Sequence, residues 1–178
     1  VLPGGTLVST DSHANILGAI GAFGQGMGDQ DIAAAWAYGQ VWFKVPASVK
    51  IFLKGHAPSG TTAKDIGLAL LYEIGAAGLL GLSADLYGPA VDGLGLSERI
   101  TIASLATEMG AIILLVPPNK AVMDHFDRLG KKGRAVAADA DAAYERTIEV
   151  DVSNLVPLIS RPGHPEDVVP VGEVAGSK

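Results

Sequence analysis

Short apolar strand segments alternate with helix-forming segments along this chain, and this alternation restricts its fold more than any other feature. A strand that returns to its sheet through a helix pairs in parallel, and the crossover helices lie on the faces of the sheet. The predicted fold class is therefore α/β, with a mainly parallel sheet covered on both faces. Strands are predicted at 4–10, 49–55, 112–118 and 147–155, and helices at 29–40, 62–78, 97–111, 119–129 and 138–147.

Capping residues mark several of the predicted helix starts. Thr62 and Asp65 have the spacing of a capping box, and Asn119 can cap the helix that follows it. Asp29 and Asp31 suit the positive end of a helix dipole.

The chain is predicted to contain three parts. Residues 1–55 are assigned to a first α/β domain that contains a polar strand end, and residues 56–155 to a second α/β domain. Proline and glycine dominate 156–178, which predicts an extended connector.

Composition excludes several classes of function. The net charge of −6 argues against a nucleic-acid-binding face. The chain has no cysteine, which excludes disulfides, a thiol nucleophile and any cysteine-held metal within it. Residues 66–84 are the most apolar stretch, but they include Glu73 and four glycines, so they are interpreted as buried helix and turn rather than a membrane span.

The triplet Asp11-Ser12-His13 directly follows the first predicted strand. Ligands bind at the carboxyl ends of strands in open α/β sheets, so a functional site is predicted here. Asp11 could orient the His13 ring, and Ser12 could donate to a ligand oxygen. The alternative is an Asx-type turn with a surface histidine. A hydrolytic Ser-His-Asp relay is not predicted, because three consecutive residues cannot form its geometry.

Glycines at 18, 21, 24, 26 and 28 follow the triplet. Their spacing matches neither a dinucleotide fingerprint nor a P-loop. Close packing against the helix that starts near Asp29 is therefore favoured over phosphate binding. The other histidines, His56, His125 and His164, show no metal-ligand spacing, and no metal site is predicted in this chain.

Four long segments resemble the aconitase superfamily, and most closely the large subunits of isopropylmalate isomerases and homoaconitases. "STDSHANILGAIGAFGQGMGDQDIAAA" (9–35) is similar to the family's T-D-S-H-T and G-A-x-G-A-F motifs. "WFKVPASVKIFLKG" with "SGTTAKDIGLAL" continues the similarity, as does "YGPAVDGLGLSERITIASLATEMGA" (87–111), in which the family has T-Ile/Val-x-N-x-x-x-E-x-G-A. "TIEVDVSNLVPLISRPGHPEDVVPVGEV" (147–174) resembles the stretch before the family's first cluster cysteine.

The resemblance implies a three-layer α/β/α domain and a hydro-lyase that dehydrates and rehydrates a hydroxy di- or tricarboxylic acid in amino-acid biosynthesis. It implies that Asp11, Ser12 and His13 bind substrate, that Asp11 and His13 are catalytic, and that Asp85 takes the place of a catalytic acidic residue that is usually Glu. A 4Fe-4S cluster is expected in the full-length enzyme, held by cysteines outside this chain. The expected partners are a small, swivel-domain subunit and a small-molecule substrate, without nucleic acid or membrane, and the expected location is cytoplasmic.

The sequence also departs from the family pattern. Ser9 stands where the family often has Cys, and Ala103 and Ser104 replace its Cys-Asn pair. The chain starts at Val1 and the family's cysteine motifs are expected beyond Lys178, so the chain is interpreted as a central fragment. Two alternatives remain: another superfamily member, such as aconitase or a dimethylmalate dehydratase, and a cluster-free module that binds a carboxylate or a partner.

Overall fold

A computed structural model describes residues 1–176 of the chain. The strands are β1 (Thr6–Ser9), β2 (Phe23–Gly26), β3 (Ser48–Lys54), β4 (Ser83–Tyr87), β5 (Ile113–Leu115), β6 (Arg146–Asp151), β7 (Leu158–Ser160) and β8 (Val168–Pro170). The helices are α1 (Asp29–Tyr38), α2 (Ala63–Ile74), α3 (Pro89–Asp92), α4 (Leu96–Ser104), α5 (Lys120–Arg128) and α6 (Val171–Val174). A 3₁₀ segment covers Ser12–Ile20.

A parallel sheet in the order β5-β4-β3-β6 forms the centre of the fold. Ser48 of β3 is aligned with Ser83 of β4, and Val49 is aligned with Arg146 of β6. The α/β class predicted from the sequence is confirmed by this parallel sheet. The sequence analysis missed β4, a central strand of only five residues.

The main core lies on one face of this sheet. Val49, Ile51 and Leu53 alternate with half-buried or exposed residues along β3 and are fully buried. They belong to one apolar cluster with side chains of β4, α2 and α4. The buried residues therefore recur every second position on the strand, as expected for a strand with one apolar face.

Residues 131–145, here called the strap, contain no helix or strand. The helix predicted at 138–147 is therefore wrong, and the strand β6 already begins at Arg146. Alanine and aspartate supply no apolar stripe with helical period, so a helix here would have no face to bury. The strap is instead tied to the sheet, because the Ala138 amide donates to the Tyr87 hydroxyl at 3.3 Å and the Glu145 amide donates to the Ser48 carbonyl at 2.9 Å.

Residues 1–28 form a smaller unit beside the sheet. Its strands β1 and β2 pair in parallel and are connected by the 3₁₀ segment. This segment contacts α4 and β5. A Cβ added at Gly18 would clash with the Leu114 carbonyl, and one at Gly24 would clash with the Ala14 carbonyl. The predicted close packing of glycines is present. Gly18 and Gly24, however, pack against β5 and the 3₁₀ segment rather than against the helix that begins at Asp29.

The predicted extended connector contains more structure than expected. Between residues 156 and 176, β7 and β8 pair antiparallel and α6 follows. The Leu158 amide donates to Asp65 Oδ1 at 2.7 Å, which fixes this hairpin to the start of α2. The last two residues of the predicted connector, 177 and 178, lie outside the described residues.

The three-part division of the chain stays a prediction. Residues 48–54 lie before the predicted boundary at 55, yet they pair with β4 and β6 in the central sheet. Across residues 1–176, no helix has both the length and the apolar character needed to cross a membrane.

Asp65 links two parts of the fold through its carboxylate. Asp65 Oδ2 accepts from the Thr62 amide at 2.7 Å and from the Thr62 hydroxyl at 2.8 Å, which confirms the predicted capping box. Burial acts to raise the pKa of Asp65, but the hydrogen bonds from Leu158 and Thr62 outweigh it and leave the pKa below its ordinary value.

We predict that Asp65→Asn lowers the free energy of unfolding at pH 7 by about 1.5–3 kcal/mol, the range for a hydrogen bond to a charged group. Because the folded-state pKa is depressed, this stabilisation is complete above the unfolded-state pKa and is lost as the pH falls through the folded-state value. Urea unfolding between pH 7 and pH 3 measures the difference. The exposed Asp141→Asn is the control, and a difference that does not shrink in acid would contradict this role.

Four exposed aromatic side chains, Trp36, Tyr38, Trp42 and Phe43, lie close together in the sequence and are here called the exposed aromatic surface. None of the residues of α1 is buried, and Trp36 and Trp42 are 88% and 86% exposed. These are the two tryptophans of the chain. Large exposed apolar patches are typical of surfaces that another protein segment covers.

We predict that acrylamide quenches the tryptophan fluorescence of this chain nearly as strongly as that of N-acetyltryptophanamide. Full denaturation in urea should then change the quenching constant little, because both indoles are already in water. Tryptophan emission that is shielded from acrylamide and shifted to the blue would show that the aromatic surface is covered in solution.

Candidate active site

Asp11, Ser12 and His13 lie together where the first strand ends. Asp11 is the N-cap of the 3₁₀ segment, and its Oδ1 accepts from the His13 amide at 2.8 Å. Ser9 Oγ accepts from the Asp11 amide at 3.0 Å, so this serine fixes the turn in the place where the family often has Cys. The hydrogen bond from the His13 amide to the Asp11 side chain is the one expected for an Asx-type turn, the alternative to a functional site at this position.

The His13 ring lies between two carboxylates. Its Nδ1 is 3.7 Å from Asp11 Oδ1 and 3.3 Å from Ser12 Oγ, and its Nε2 is 3.6 Å from Glu108 Oε1. The ring is 48% exposed, so a molecule in solution can reach it. These ion-pair distances exceed hydrogen-bond length, and their main effect is to limit the orientations of the ring.

Glu108 is a site residue that the sequence analysis did not select. It lies in the turn at 105–110 that follows α4, and its side chain is 29% exposed. Its Oε2 is buried and has no hydrogen-bond partner among the described residues. The family motif T-Ile/Val-x-N-x-x-x-E-x-G-A contains a glutamate at this position, and that was the signal available from the sequence.

A polar cleft of about 330 Å³ opens beside Ser12. Asn15, on its wall, donates from Nδ2 to Thr107 Oγ1 at 3.0 Å, which joins the 3₁₀ segment to the turn after α4. Gln25, which also lines the cleft, has a buried Oε1 with no partner in the described part of the chain. Hydroxyl and amide groups here could bind the oxygens of a small polar ligand.

Asp85 lies at a different cavity, of about 220 Å³, lined also by Ser48, Tyr87 and Leu115. Burial raises the pKa of Asp85, and a hydrogen bond from the Tyr144 hydroxyl, at 2.8 Å, opposes part of that rise. In residues 1–176 no hydrogen bond or ion pair joins Asp85 to the triplet. The structure thus brings Asp11, Ser12 and His13 together and places Asp85 apart from them.

The two replaced family residues have structural roles. Ala103 is fully buried, and Ser104 Oγ donates to the Thr101 carbonyl at 2.8 Å within its own helix. Neither side chain forms a hydrogen bond to the triplet in the described residues.

The residues present do not suit a cluster of iron and sulfide. The 178-residue sequence has no cysteine thiolate to ligate iron. In the described part of the chain, no group of three or more His, Asp or Glu side chains is placed to hold a metal ion.

A parallel α/β sheet beside a polar strand end is an arrangement in which many enzymes bind small substrates. The model of the aconitase family (aconitate hydratase) matches residues 1–178. This chain belongs to the aconitase family.

Similar proteins of that family are large subunits of 3-isopropylmalate dehydratase. Large subunit 1 of Methanopyrus kandleri is 41% identical over 99% of this chain. The large subunit of Oleidesulfovibrio alaskensis is 40% identical over 98%, and large subunit 1 of Thermotoga maritima is 36% identical over 100%. The chain spans only 42–43% of the length of these relatives.

Two variants of Asp11 separate its local cap from its charge. We predict that Asp11→Ala lowers the free energy of unfolding by about 1 kcal/mol, because the His13 amide loses its acceptor. Asp11→Asn keeps an acceptor oxygen and should stay within about 0.5 kcal/mol of the unchanged chain. Equal losses in the two variants, measured by urea unfolding, would show that charge rather than capping stabilises this turn.

Proposed function

We propose that this chain is part of a hydro-lyase that removes water from a hydroxy di- or tricarboxylic acid and adds it back. The observation that carries the proposal is the match over nearly the whole chain to large subunits of 3-isopropylmalate dehydratase, with Asp11-Ser12-His13 gathered at a strand end. We propose isopropylmalate or homoaconitate as the type of substrate. We also propose a cytoplasmic location and a role in leucine biosynthesis.

The triplet supports roles in substrate orientation and proton transfer. In the elimination, a base takes the proton from one carbon and hydroxide leaves the neighbouring carbon with its bonding electron pair. The half-exposed His13 ring can hold or transfer a proton, while Ser12 Oγ can donate to a substrate oxygen. A well-placed acid or base of this kind contributes roughly 10²–10⁴-fold to a rate.

A 4Fe-4S cluster belongs to the proposal only for the full-length enzyme. The chain has no cysteine, so we propose that cysteines in other segments hold the cluster. No step of the elimination is assigned to the cluster. Because the relatives are named large subunits, we also propose a small-subunit partner.

A second candidate function is a cluster-free module that binds a carboxylate. The absence of cysteine and the replacement of the family's Cys-Asn pair by Ala103 and Ser104 favour it. The two proposals differ in catalysis, since the module would bind a hydroxy acid and leave it unchanged.

We predict that the 178-residue chain alone does not hydrate isopropylmaleate, homoaconitate or aconitate, and that the complete large subunit with its small subunit does. Departure of the alcohol hydroxyl as hydroxide from a hydroxy acid at neutral pH needs an electrophile that supplies several kcal/mol of stabilisation. Proton transfer by His13 alone is too small a contribution. Both proteins would be treated anaerobically with iron and sulfide and assayed by the absorbance of the unsaturated acid.

Variants of the complete enzyme test the triplet. Asp11→Asn and His13→Gln should each lower kcat by at least 10²-fold without loss of folded protein, because positioned acid–base groups contribute at this level. Asp141→Asn, in the exposed strap, should leave kcat unchanged. Unaltered turnover in both triplet variants, or turnover by the short chain alone, would overturn the proposed roles.

A further inference from the structure

Four polar side chains converge on the face of the central sheet opposite its apolar core. Lys50, Asp85, Tyr87 and Tyr144, here called the Asp85 cluster, come from β3, β4 and the strap. The parallel register aligns Lys50 with Asp85, so the two side chains leave the sheet on the same face. Most residues of β3 and β4 on this face are half-buried, and the cavity that Asp85 lines is bounded by the strap.

The strap supplies the hydrogen bond to Asp85. The Tyr144 hydroxyl donates to Asp85 Oδ2 at 2.8 Å, and this is the one side-chain hydrogen bond of that carboxylate within residues 1–176. Asp85 also lines the 220 Å³ cavity. One carboxylate oxygen is therefore held by Tyr144, and the other is available to a ligand or a proton.

The charged and titratable neighbours of Asp85 are few. Lys50 Nζ lies 5.5 Å from the centre of the Tyr87 ring and 5.9 Å from that of the Tyr144 ring, so the cation packs on both aromatic faces. Lys50 forms no ion pair with Asp85 within 4.0 Å in the described part of the chain. The strand β5 contributes the apolar Leu115 to the cavity wall. Tyr144 is therefore the group that acts on the carboxylate directly.

We propose that Tyr144 is a positioning residue for Asp85, which fixes one carboxylate oxygen by hydrogen bonding and directs the other towards the cavity. A donor to the ionised carboxylate stabilises that form against the burial that opposes it. That Asp85 takes part in catalysis is implied by the family resemblance and rests on the proposed function, but the hydrogen bond and its effect on ionisation do not.

The first experiment replaces Tyr144 by Phe and follows the Asp85 carboxyl carbon by NMR titration of the ¹³C-labelled chain. Burial raises the pKa of Asp85, and loss of the Tyr144 donor should move it further upward. Tyr38→Phe makes the same chemical change at an exposed tyrosine outside the cluster and should leave the Asp85 titration in place. An Asp85 pKa that is the same in Tyr144→Phe and in the unchanged chain would overturn the proposal.

The second experiment replaces Asp85 and measures the ionisation of its hydrogen-bond donor, Tyr144. Burial raises the pKa of Tyr144, and so do its interactions with Asp85 and, to a smaller extent, Tyr87, so Asp85→Asn should lower the pH at which Tyr144 ionises. Ultraviolet absorbance of tyrosinate records this ionisation, and the signal missing from Tyr144→Phe identifies it. An unchanged tyrosinate titration in Asp85→Asn would also refute the proposal.

Each variant removes a different partner of the bond, so the difference in titration between the unchanged chain and one variant tests the bond even if the other variant folds poorly. They need neither substrate nor cluster. A negative result would therefore remove the positioning role of Tyr144 and leave the hydro-lyase proposal standing. Failure of the hydration assay with the complete enzyme would leave the Asp85 titration unaffected.

Discussion

The hydrogen bonds of the buried Arg99 guanidinium hold together the segments that follow β4 and β5 at one end of the sheet. Arg99 is 1% exposed and donates to the carbonyls of Leu94 at 3.1 Å, Pro117 at 2.8 Å and Val91 at 3.3 Å. Burial lowers its pKa, and nearby Asp92 opposes that change. A buried cation has to be surrounded by acceptors, so the segments after β4 and β5 are required to bring their carbonyls to one point.

The candidate site takes its geometry from this frame. The Val116 amide, just after β5, donates to the Gly18 carbonyl at 2.9 Å, and the absence of a Cβ at Gly18 lets the 3₁₀ segment lie directly against Leu114. His13 lies in the first turn of the same segment, while Glu108 follows the helix that carries Arg99. The contact of His13 with Glu108 thus joins two segments that are far apart in the sequence, and it depends on the packing between them.

Local sequence signals account for the parts of the fold that were predicted correctly. The Thr62–Asp65 capping box, the Asn119 cap and the alternation along β3 each depend on residues within a few positions of one another. The strand β4 and the strap were missed because their stability comes from distant partners: β3 and β5 for the strand, and Asp85 for Tyr144. The triplet was found by its place after a strand, whereas Glu108 joins it only through the fold.

The charges around His13 bear on what this surface can bind. Asp11 and Glu108 both carry carboxylates beside the ring, and no Lys or Arg forms an ion pair with either of them in the described part of the chain. A hydroxy di- or tricarboxylate is itself an anion, and like charges a few ångströms apart repel unless a cation lies between them. This surface is therefore suited to orienting a hydroxyl or moving a proton, and under the proposed function the affinity for an anionic substrate would come from cationic groups outside this surface.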